Sequence, residues 1–371
     1  FRVIYMLGAT YFIMRVAPCD WVNAVTQSTF AAFVGAAASF LLLGWYYFRK
    51  RPELNALAAQ SENKLVIPVW QLFRDIIIQA IPFIVIDTAT TVFNLLDQAT
   101  FQPMMRLVYH LGTKQIDTLY AYFAFNANKL VMIIVSLASA IAVTVVPILS
   151  ESLASHNMRN IRKQLEDSII LFLFIMIPGA LGMAAVAQPL NTLFYSYDQI
   201  GTLILQISAF TAIALGFFTV ISALMQGLSR NRDIIRYYLI GLLVKIVIQL
   251  PCIYFLSTAG PLVATAIGMM VASLMAMYDL EVNFGIRYVK LLPKINRILV
   301  YSILTYVTAR LVVYGLNFVL NEHSKTQSFL IVALAVIAGG AVYVYLALRS
   351  RMADLMIGTK AAGLRRKLRI K

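Results

Sequence analysis

The amino-acid sequence predicts an all-α fold, a polytopic membrane helix bundle. Hydrophobic residues make up 61% of the chain and charged residues only 13%, whereas soluble domains carry about 25% charged residues. The mean hydropathy is +0.80, and the apolar residues are gathered in long runs. Because a helix of about 20 apolar residues crosses the hydrocarbon core of a bilayer, the chain is expected to fold in lipid.

Apolar runs of this length recur along the whole chain and are separated by short polar segments. Residues 1–16 are expected to be the end of one span, and because the chain opens inside an apolar run at a Phe, we expect a C-terminal fragment of a longer protein. The runs that predict complete helices are 21–48, 68–98, 118–149, 168–188, 200–226, 235–256, 260–282, 298–319 and 329–348. The connecting segment 101–112 places Met104 and Met105 on one face, and we expect either a short helix lying in the external interface or an ordinary loop there.

The basic residues are distributed unequally between alternate loops. The loops near residues 55, 160, 232 and 290 and the tail after residue 348 hold most of the Lys and Arg, whereas the opposite loops hold only Arg106, Lys114 and Lys325. Cytoplasmic loops carry an excess of Lys and Arg, so this pattern predicts a cytoplasmic C-terminus. It also accounts for the net charge of +15 through contact with anionic lipid headgroups, and no nucleic-acid partner is expected.

A few cations lie deep inside the predicted spans. Lys129, Lys245 and Arg310 are each about ten or more residues from the end of an apolar run, so each needs a partner or a water-filled cavity. Polar residues accompany them on helix faces: Asp87, Thr91, Asn94 and Gln98 share one face, Asn126, Lys129 and Ser136 share another, and Lys245 and Gln249 are one turn apart. These residues predict a wet cavity in which Asp87 faces Lys129; the alternative is that they only hydrogen-bond helices to one another.

The sequence offers no pattern typical of an enzyme or a metal protein. Its two cysteines, Cys19 and Cys252, have no metal-type spacing, and its three histidines fall in predicted loops. A Gly-rich phosphate loop, a Ser-His-Asp arrangement and an HExxH sequence are all missing from it. We therefore expect no enzymatic activity, no cofactor and no metal.

Three stretches between residues 120 and 268 resemble a known transporter superfamily. They read YAYFAFNANKLVMIIVSLASAIAVTVVPILSES, NIRKQLEDSIILFLFIMIPGALGM and SALMQGLSRNRDIIRYYLIGLLVKIVIQLPCIYFLSTAGPLVATAIG. They are similar to the second six-helix lobe of the multidrug/oligosaccharidyl-lipid/polysaccharide (MOP) exporter superfamily. Within it the chain looks most like the polysaccharide transporter branch, and there like the YtgP/MurJ type of lipid II flippase.

The resemblance implies a domain organisation and a function. Residues 1–67 would be the end of a first lobe and a cytoplasmic linker, 68–283 a MATE/MurJ-like second six-helix lobe, and 284–371 two additional helices and a basic tail. The implied function is to move a polyprenyl-diphosphate-linked sugar, such as lipid II or a polysaccharide repeat unit, across the bacterial cytoplasmic membrane by alternating access. Lys129 would then contact a phosphate. A coupling ion or the membrane potential would supply the energy.

Two other functions remain open at this stage. An ion-coupled multidrug or cation antiporter of the same fold would use acidic cavity residues, with Asp87 as its proton or sodium site. A membrane-embedded glycosyltransferase or polymerase would need a large extramembrane loop with clustered carboxylates, and the sequence offers only short loops. The cationic Lys129 and Lys245 favour an anionic substrate over a purely cationic one.

The predicted orientation can be tested by labelling single cysteines in a Cys-free background in intact cells. Residues near 105, 194 and 324 are expected to react with an impermeant maleimide, whereas residues near 55, 160, 232 and 290 should react only after permeabilisation. Labelling at residue 160 from outside would invert the predicted topology.

Overall fold

The computed structural model describes residues 1–16, 20–60 and 68–354 together with Gly363 and Arg365, except for the side chains at 57, 58, 60, 79, 82 and 87. All regular secondary structure in this part of the chain is helical, which confirms the predicted all-α class. Contacts within the chain define two compact units, Phe1–Arg74 and Asp75–Lys371. Cys19 lies outside the described residues.

The first unit contains two helices that pack against each other. These are α1 (Arg2–Val16) and α2 (Trp21–Gln60). The hydroxyl of Tyr5 donates a hydrogen bond to Oε1 of Gln27 at 2.7 Å, and the small residue Ala31 is fully buried. Small side chains allow helix backbones to approach closely where water is excluded and hydrophobic burial cannot drive association.

The second unit contains the remaining helices and begins within α3. Its elements are α3 (Val69–Asp87), α4 (Ala89–Tyr109), α5 (Thr113–Ala121), a π-helical turn (Tyr122–Ala127), α6 (Asn128–Ala154), α7 (Met158–Ala185), α8 (Ala187–Phe194), α9 (Gln199–Gly227), α10 (Asn231–Leu256), α11 (Gly260–Phe284), α12 (Leu292–Leu316) and α13 (Lys325–Arg349). Short 3₁₀ turns precede α11 and α12.

Eight helical segments among the described residues are long and apolar enough to cross a membrane, judged by length and composition. One of them, Asn231–Phe284, holds both α10 and α11. The chain reverses between them at Ser257, whose φ of 50° is left-handed, so this segment supplies two antiparallel helices. The predicted series of apolar helices is thereby confirmed.

The predicted helix 68–98 is interrupted at Thr88, where it divides into α3 and α4. The backbone hydrogen bonds from Thr88 N to Ile84 O and from Val92 N to Thr88 O persist at 2.9 and 3.0 Å. The Thr88 hydroxyl also donates to the Ile84 carbonyl at 2.8 Å. Such bonding of a Thr to the preceding turn perturbs helix geometry, which is consistent with the interruption.

The prediction of a separate interfacial helix at 101–112 is wrong. Residues as far as Tyr109 are the last turns of α4. Phe101 and Met105 are fully buried and belong to an apolar cluster with Ile116 of α5 and Phe123 of the π-helical turn. The apolar face that indicated an interface therefore packs inside the protein.

Helices α6, α7 and α9 pack closely together in the second unit. A Cβ atom at Gly216 of α9 would lie 2.7 Å from Met176 Cε, 3.1 Å from Phe172 Cε2 and 3.2 Å from Ala138 Cβ. These residues are all fully or nearly fully buried. The glycine is thus required where one side chain of α6 and two of α7 meet the α9 backbone.

Helices α12 and α13 pack onto α7 within the same compact unit. The Tyr343 hydroxyl donates to the Phe174 carbonyl at 2.6 Å, and Gly339 lies against Thr305 between α13 and α12. Arg310, one of the three deep cations, donates to the Ala185 carbonyl at 3.4 Å. The predicted division of the chain at residues 67 and 283 stays a prediction.

Helices α10 and α11 form a hairpin in which the two backbones touch. A Cβ atom at Gly241 would lie 2.4 Å from the Gly268 carbonyl oxygen, and one at Gly268 would lie 2.7 Å from the Gly241 carbonyl oxygen. A side chain at either position would separate the two helices.

We therefore expect Gly241→Ala to destabilise the protein by about 1–3 kcal/mol, because the added methyl group overpacks a backbone contact. Gly315→Ala in α12 is the matched control, since a Cβ there meets nothing within 4 Å and the higher helix propensity of Ala adds up to about 1 kcal/mol. The midpoint of thermal unfolding in nanodiscs measures the stability of both variants. Equal midpoints for the two variants would contradict the close contact.

Candidate functional cavity

A polar cavity of about 450 Å³ lies inside the second unit. Its wall is formed mainly by α4, the π-helical turn, the first turn of α6, α9 and α11. The polar residues that line it are Thr90, Thr91, Asn94, Asp97, Gln98, Asn128, Lys129, Ser208, Thr211 and Thr265, and aromatic residues Phe93, Tyr120, Phe123 and Phe125 complete much of the remainder. Such a wall can bind a hydrophilic group through hydroxyl and amide hydrogen bonds.

The polar face of α4 begins just after the interruption at Thr88. Thr91, Asn94 and Gln98 follow at positions one turn apart, and all three line the cavity with exposed side chains. The structure thus brings together three of the four polar residues that the helix periodicity groups on this face. Asp87 is the last residue of α3, but its side chain lies outside the described part of the chain, so its pairing with Lys129 stays a prediction.

A π-helical turn immediately precedes the cavity-lining part of α6. It covers Tyr122–Ala127 and joins α5 to α6 without interruption. π-Helical turns carry an extra residue per turn and are frequent at functional sites. Here the turn places Asn128 and Lys129 on the cavity wall.

Lys129 is exposed, and its ammonium has no hydrogen-bond or ion-pair partner among the described residues. A cation in a membrane helix is costly unless it faces water or a counter-charge. The cavity supplies water access, which accounts for Lys129 in this otherwise apolar helix.

Two of the predicted α6 residues do not line the cavity. Asn126 lies within the π-helical turn, where the angle between residues differs from that of an α-helix, and its carbonyl accepts a hydrogen bond from the Tyr195 hydroxyl at 3.1 Å. Ser136 is seven residues after Lys129 on the same helix, and it is not among the residues that line the cavity. Its hydroxyl donates to the Ile133 carbonyl at 2.7 Å.

Lys245 is fully buried behind the cavity wall rather than exposed in it. Its ammonium lies 2.8 Å from Asp97 Oδ1 and donates to the Phe93 carbonyl at 2.9 Å and the Thr265 hydroxyl at 2.7 Å. It also lies 4.6 Å from the centre of the Phe93 ring. Three oxygen acceptors thus satisfy the three N–H donors of the ammonium.

Gln249 extends this network one helical turn further along α10. Its Nε2 donates to Asp97 Oδ1 at 2.7 Å and to the Thr100 hydroxyl at 3.1 Å. The side chains of α10 therefore hold α4 and α11 through a buried ion pair and its hydrogen bonds. Lys245 and Gln249 contribute to the architecture of the wall, and a direct substrate contact by either stays a prediction.

Several residues of the site are absent from the set predicted by sequence. Asp97 lies at the edge of the α4 face that lines the cavity, outside the Asp87–Gln98 stripe. Its partner Lys245 is 148 positions away in the numbering. Asn128, Ser208, Thr211 and Thr265 are single small polar residues in apolar helices, and no periodic pattern distinguishes them from helix-packing residues. No group of three or more potential metal ligands occurs in the described residues.

The fold and the cavity define the chain as a multi-pass helical membrane protein of the transporter class. Residues 89–250 match the MatE family model. The chain is 28% identical over 371 residues to the Lipid II flippase MurJ of Bacillus subtilis (strain 168), covering 99% of this chain and 68% of that protein. The resemblance to the MOP superfamily inferred from the sequence is thereby confirmed.

A solved structure supports the same fold. The chain is similar to "Lipid II flippase MurJ, inward closed conformation" with a TM-score of 0.58 and 15% sequence identity. The similarity covers 92% of this chain and 65% of that chain, so the chain spans about two thirds of the length of the proteins it matches.

The buried pair generates a stability prediction. Asp97→Asn leaves the Lys245 ammonium without its counter-charge, and breaking a buried pair in this way costs about 3–5 kcal/mol. Membrane abundance and the thermal midpoint should therefore both fall. The double variant Asp97→Leu with Lys245→Met should recover much of the loss, since apolar replacement of a whole pair is often neutral.

Asp117→Asn is the control for this experiment, because Asp117 is exposed and accepts only a 3.3 Å bond from Gln102. If Asp97→Asn were no less stable than Asp117→Asn, the pair would not hold α4 to α10.

Proposed function

We propose that this chain forms the second lobe of a flippase that moves a polyprenyl-diphosphate-linked sugar across the bacterial cytoplasmic membrane. The observation that carries the proposal is Lys129, a cation on the wall of a polar cavity whose charge no described residue neutralises. A diphosphate supplies the missing counter-charge, and Lys is a common phosphate ligand. Lipid II is the favoured substrate because it is named for the similar Bacillus protein.

The chemistry of the cavity fits the head of such a lipid. Asn94, Gln98 and Asn128 offer amides and Thr91 and Thr211 offer hydroxyls for sugar and peptide groups. The polyprenyl chain would remain in the bilayer, where it needs no polar partner. Alternating access would come from two lobes that rock about this site.

The acidic residues of the cavity argue against a cation antiporter. Asp97 lies on the wall, but Lys245 already pairs with it at 2.8 Å and Gln249 hydrogen-bonds to the same oxygen. This carboxylate is therefore not free to bind a substrate cation or a coupling ion. Among the described lining residues of the cavity, the unpaired charge is positive.

The proposed function also includes a membrane orientation, an energy source, the absence of covalent chemistry and a set of partners. The C-terminus lies in the cytoplasm, as the loop charges indicate. An ion gradient or the membrane potential drives the cycle, and the protein performs no covalent chemistry. Lipid-linked sugar diphosphates and membrane lipids are its partners.

Lys129→Ala in the full-length protein is expected to reduce flipping about tenfold or more, since a charge-assisted hydrogen bond contributes about 1.5–3 kcal/mol. Its membrane abundance should stay near normal because Lys129 holds no other side chain. Lys129→Arg should retain more activity than the Ala variant, because the charge is kept although the planar guanidinium differs in shape. Exposure of lipid II at the outer surface of cells depleted of the resident flippase measures the activity.

Lys114→Ala is the matched control, an exposed Lys outside the cavity, and it should flip normally. Loss of the Lys129→Ala protein from the membrane would instead indicate that Lys129 is half of a buried ion pair. Normal abundance with normal flipping would remove Lys129 from the substrate path.

A further inference from the structure

The polar cavity is the first of three cavities that line one side of the second unit. A middle cavity of about 460 Å³ shares Thr90, Met132 and Leu215 with the polar cavity. A terminal cavity of about 700 Å³ shares Phe83, Val146 and Gln226 with the middle one. Neighbouring cavities therefore share parts of their walls, and we call the row of three the trough.

The trough runs the length of a membrane span. Along α6 its lining begins at Asn128 and ends at Ser150, and along α9 and the following turn it begins at Ser208 and ends at Ser229. Lys129 and Ser150 are 21 positions apart, which corresponds to about 32 Å at the rise of an α-helix. The hydrocarbon core of a bilayer is about 30 Å thick.

The terminal cavity is lined by three arginines and one carboxylate. The arginines are Arg230, Arg232 and Arg236, and the carboxylate is Asp233. Arg230 is held in place by Asp233 at 2.7 Å and by Asp279 at 2.8 Å. The lining thus carries more positive than negative charge.

The other two arginines are arranged differently from Arg230. Arg232 and Arg236 are exposed, one helical turn apart at the start of α10, so their side chains are neighbours. Arg236 reaches Asp233 only at 3.3 Å, with 72% of its side chain exposed, and Arg232 has no ion-pair partner in the described part of the chain. Such an exposed ion pair is weak and leaves the guanidinium available.

The middle cavity separates these arginines from Lys129. Its described lining residues carry no charge, and its polar groups are those of Thr90, Ser139, Thr219, Ser222 and Gln226. A cation therefore lies at each end of the trough, and the polar groups between them are neutral hydroxyls and amides set among apolar side chains.

We infer that the terminal cavity is a loading site for the diphosphate group, in which Arg232 and Arg236 bind the anion before it reaches Lys129. This inference rests on the proposed function, because it names where the substrate of that cavity is first bound. Two neighbouring guanidiniums match two linked phosphates, since each planar fork can donate two parallel hydrogen bonds to phosphate oxygens. Because the middle cavity is neutral, it does not retain the anion, which can move from the two arginines to Lys129.

The test measures binding of geranylgeranyl diphosphate, and of uncharged geranylgeraniol, to full-length protein in phosphatidylcholine nanodiscs. The double variant Arg232→Gln/Arg236→Gln is expected to raise the Kd for the diphosphate about tenfold or more, and to leave geranylgeraniol binding unchanged. Arg232→Lys/Arg236→Lys should restore part of the affinity. Unchanged diphosphate affinity in the Gln variant would overturn the inference.

The matched control is Arg287→Gln/Lys290→Gln, which removes the same charge from an exposed turn that lines none of the three cavities. Its Kd should stay within about twofold of the unaltered protein, because distant exposed charges are screened by salt. Equal weakening in both variants would show general electrostatic attraction and would overturn the loading site. The thermal unfolding midpoints of both variants are measured as well, so that misfolding can be excluded as the cause of a change in Kd.

A second binding measurement distinguishes a site for the transported diphosphate from a site for ordinary anionic phospholipid. With phosphatidylglycerol in the nanodiscs, a specific diphosphate site should keep most of its affinity; complete displacement would show a phospholipid headgroup site and reject the assignment. The binding measurement does not require transport. If Lys129→Ala flips normally while the arginine variant loses binding, the proposed role of Lys129 fails and the loading site stands.

Discussion

The cost of placing charge in a low-dielectric interior governs this structure. A buried ammonium such as that of Lys245 is tolerated only when acceptors satisfy all its donors, and here Asp97, Thr265 and the Phe93 carbonyl do so. These acceptors lie on α4 and α11, so satisfying one charge on α10 joins three helices. The same cost is met at Lys129 by its exposure in a cavity. These two solutions account for the charges on the described cavity wall and directly behind it.

The internal pair also determines what the cavity offers to a ligand. Since Lys245 neutralises Asp97, the described wall keeps the charge of Lys129 and a set of neutral amides and hydroxyls. That combination suits an anion joined to sugars better than it suits a hydrophobic cation. Asp97 is not available to a cation because it pairs with Lys245 and stabilises the wall. The same ion pair therefore affects both the stability of the wall and the charge that the cavity presents.

The helices could be predicted from the sequence because the length of an apolar run is a local property, and the thickness of the bilayer sets that length directly. The helical periodicity also grouped Thr91, Asn94 and Gln98, because they share one regular stretch of α4. The π-helical turn before Asn128 changes the angle between residues, and Asn126 is not among the residues that line the cavity. The partner of Lys245 was missed because the pairing of Asp97 with α10 is a tertiary contact.

The glycine contact between α10 and α11 has a mechanical consequence. Because the Gly241 and Gly268 backbones already touch, the hairpin has no side-chain layer that could compress or slide. The hairpin is therefore rigid at this contact, and the hydrogen bond and ion pair made by Lys245 join α4 to it. A change in the width of the neighbouring trough would therefore require α4, α10 and α11 to move together relative to α6, which lines the trough along its length.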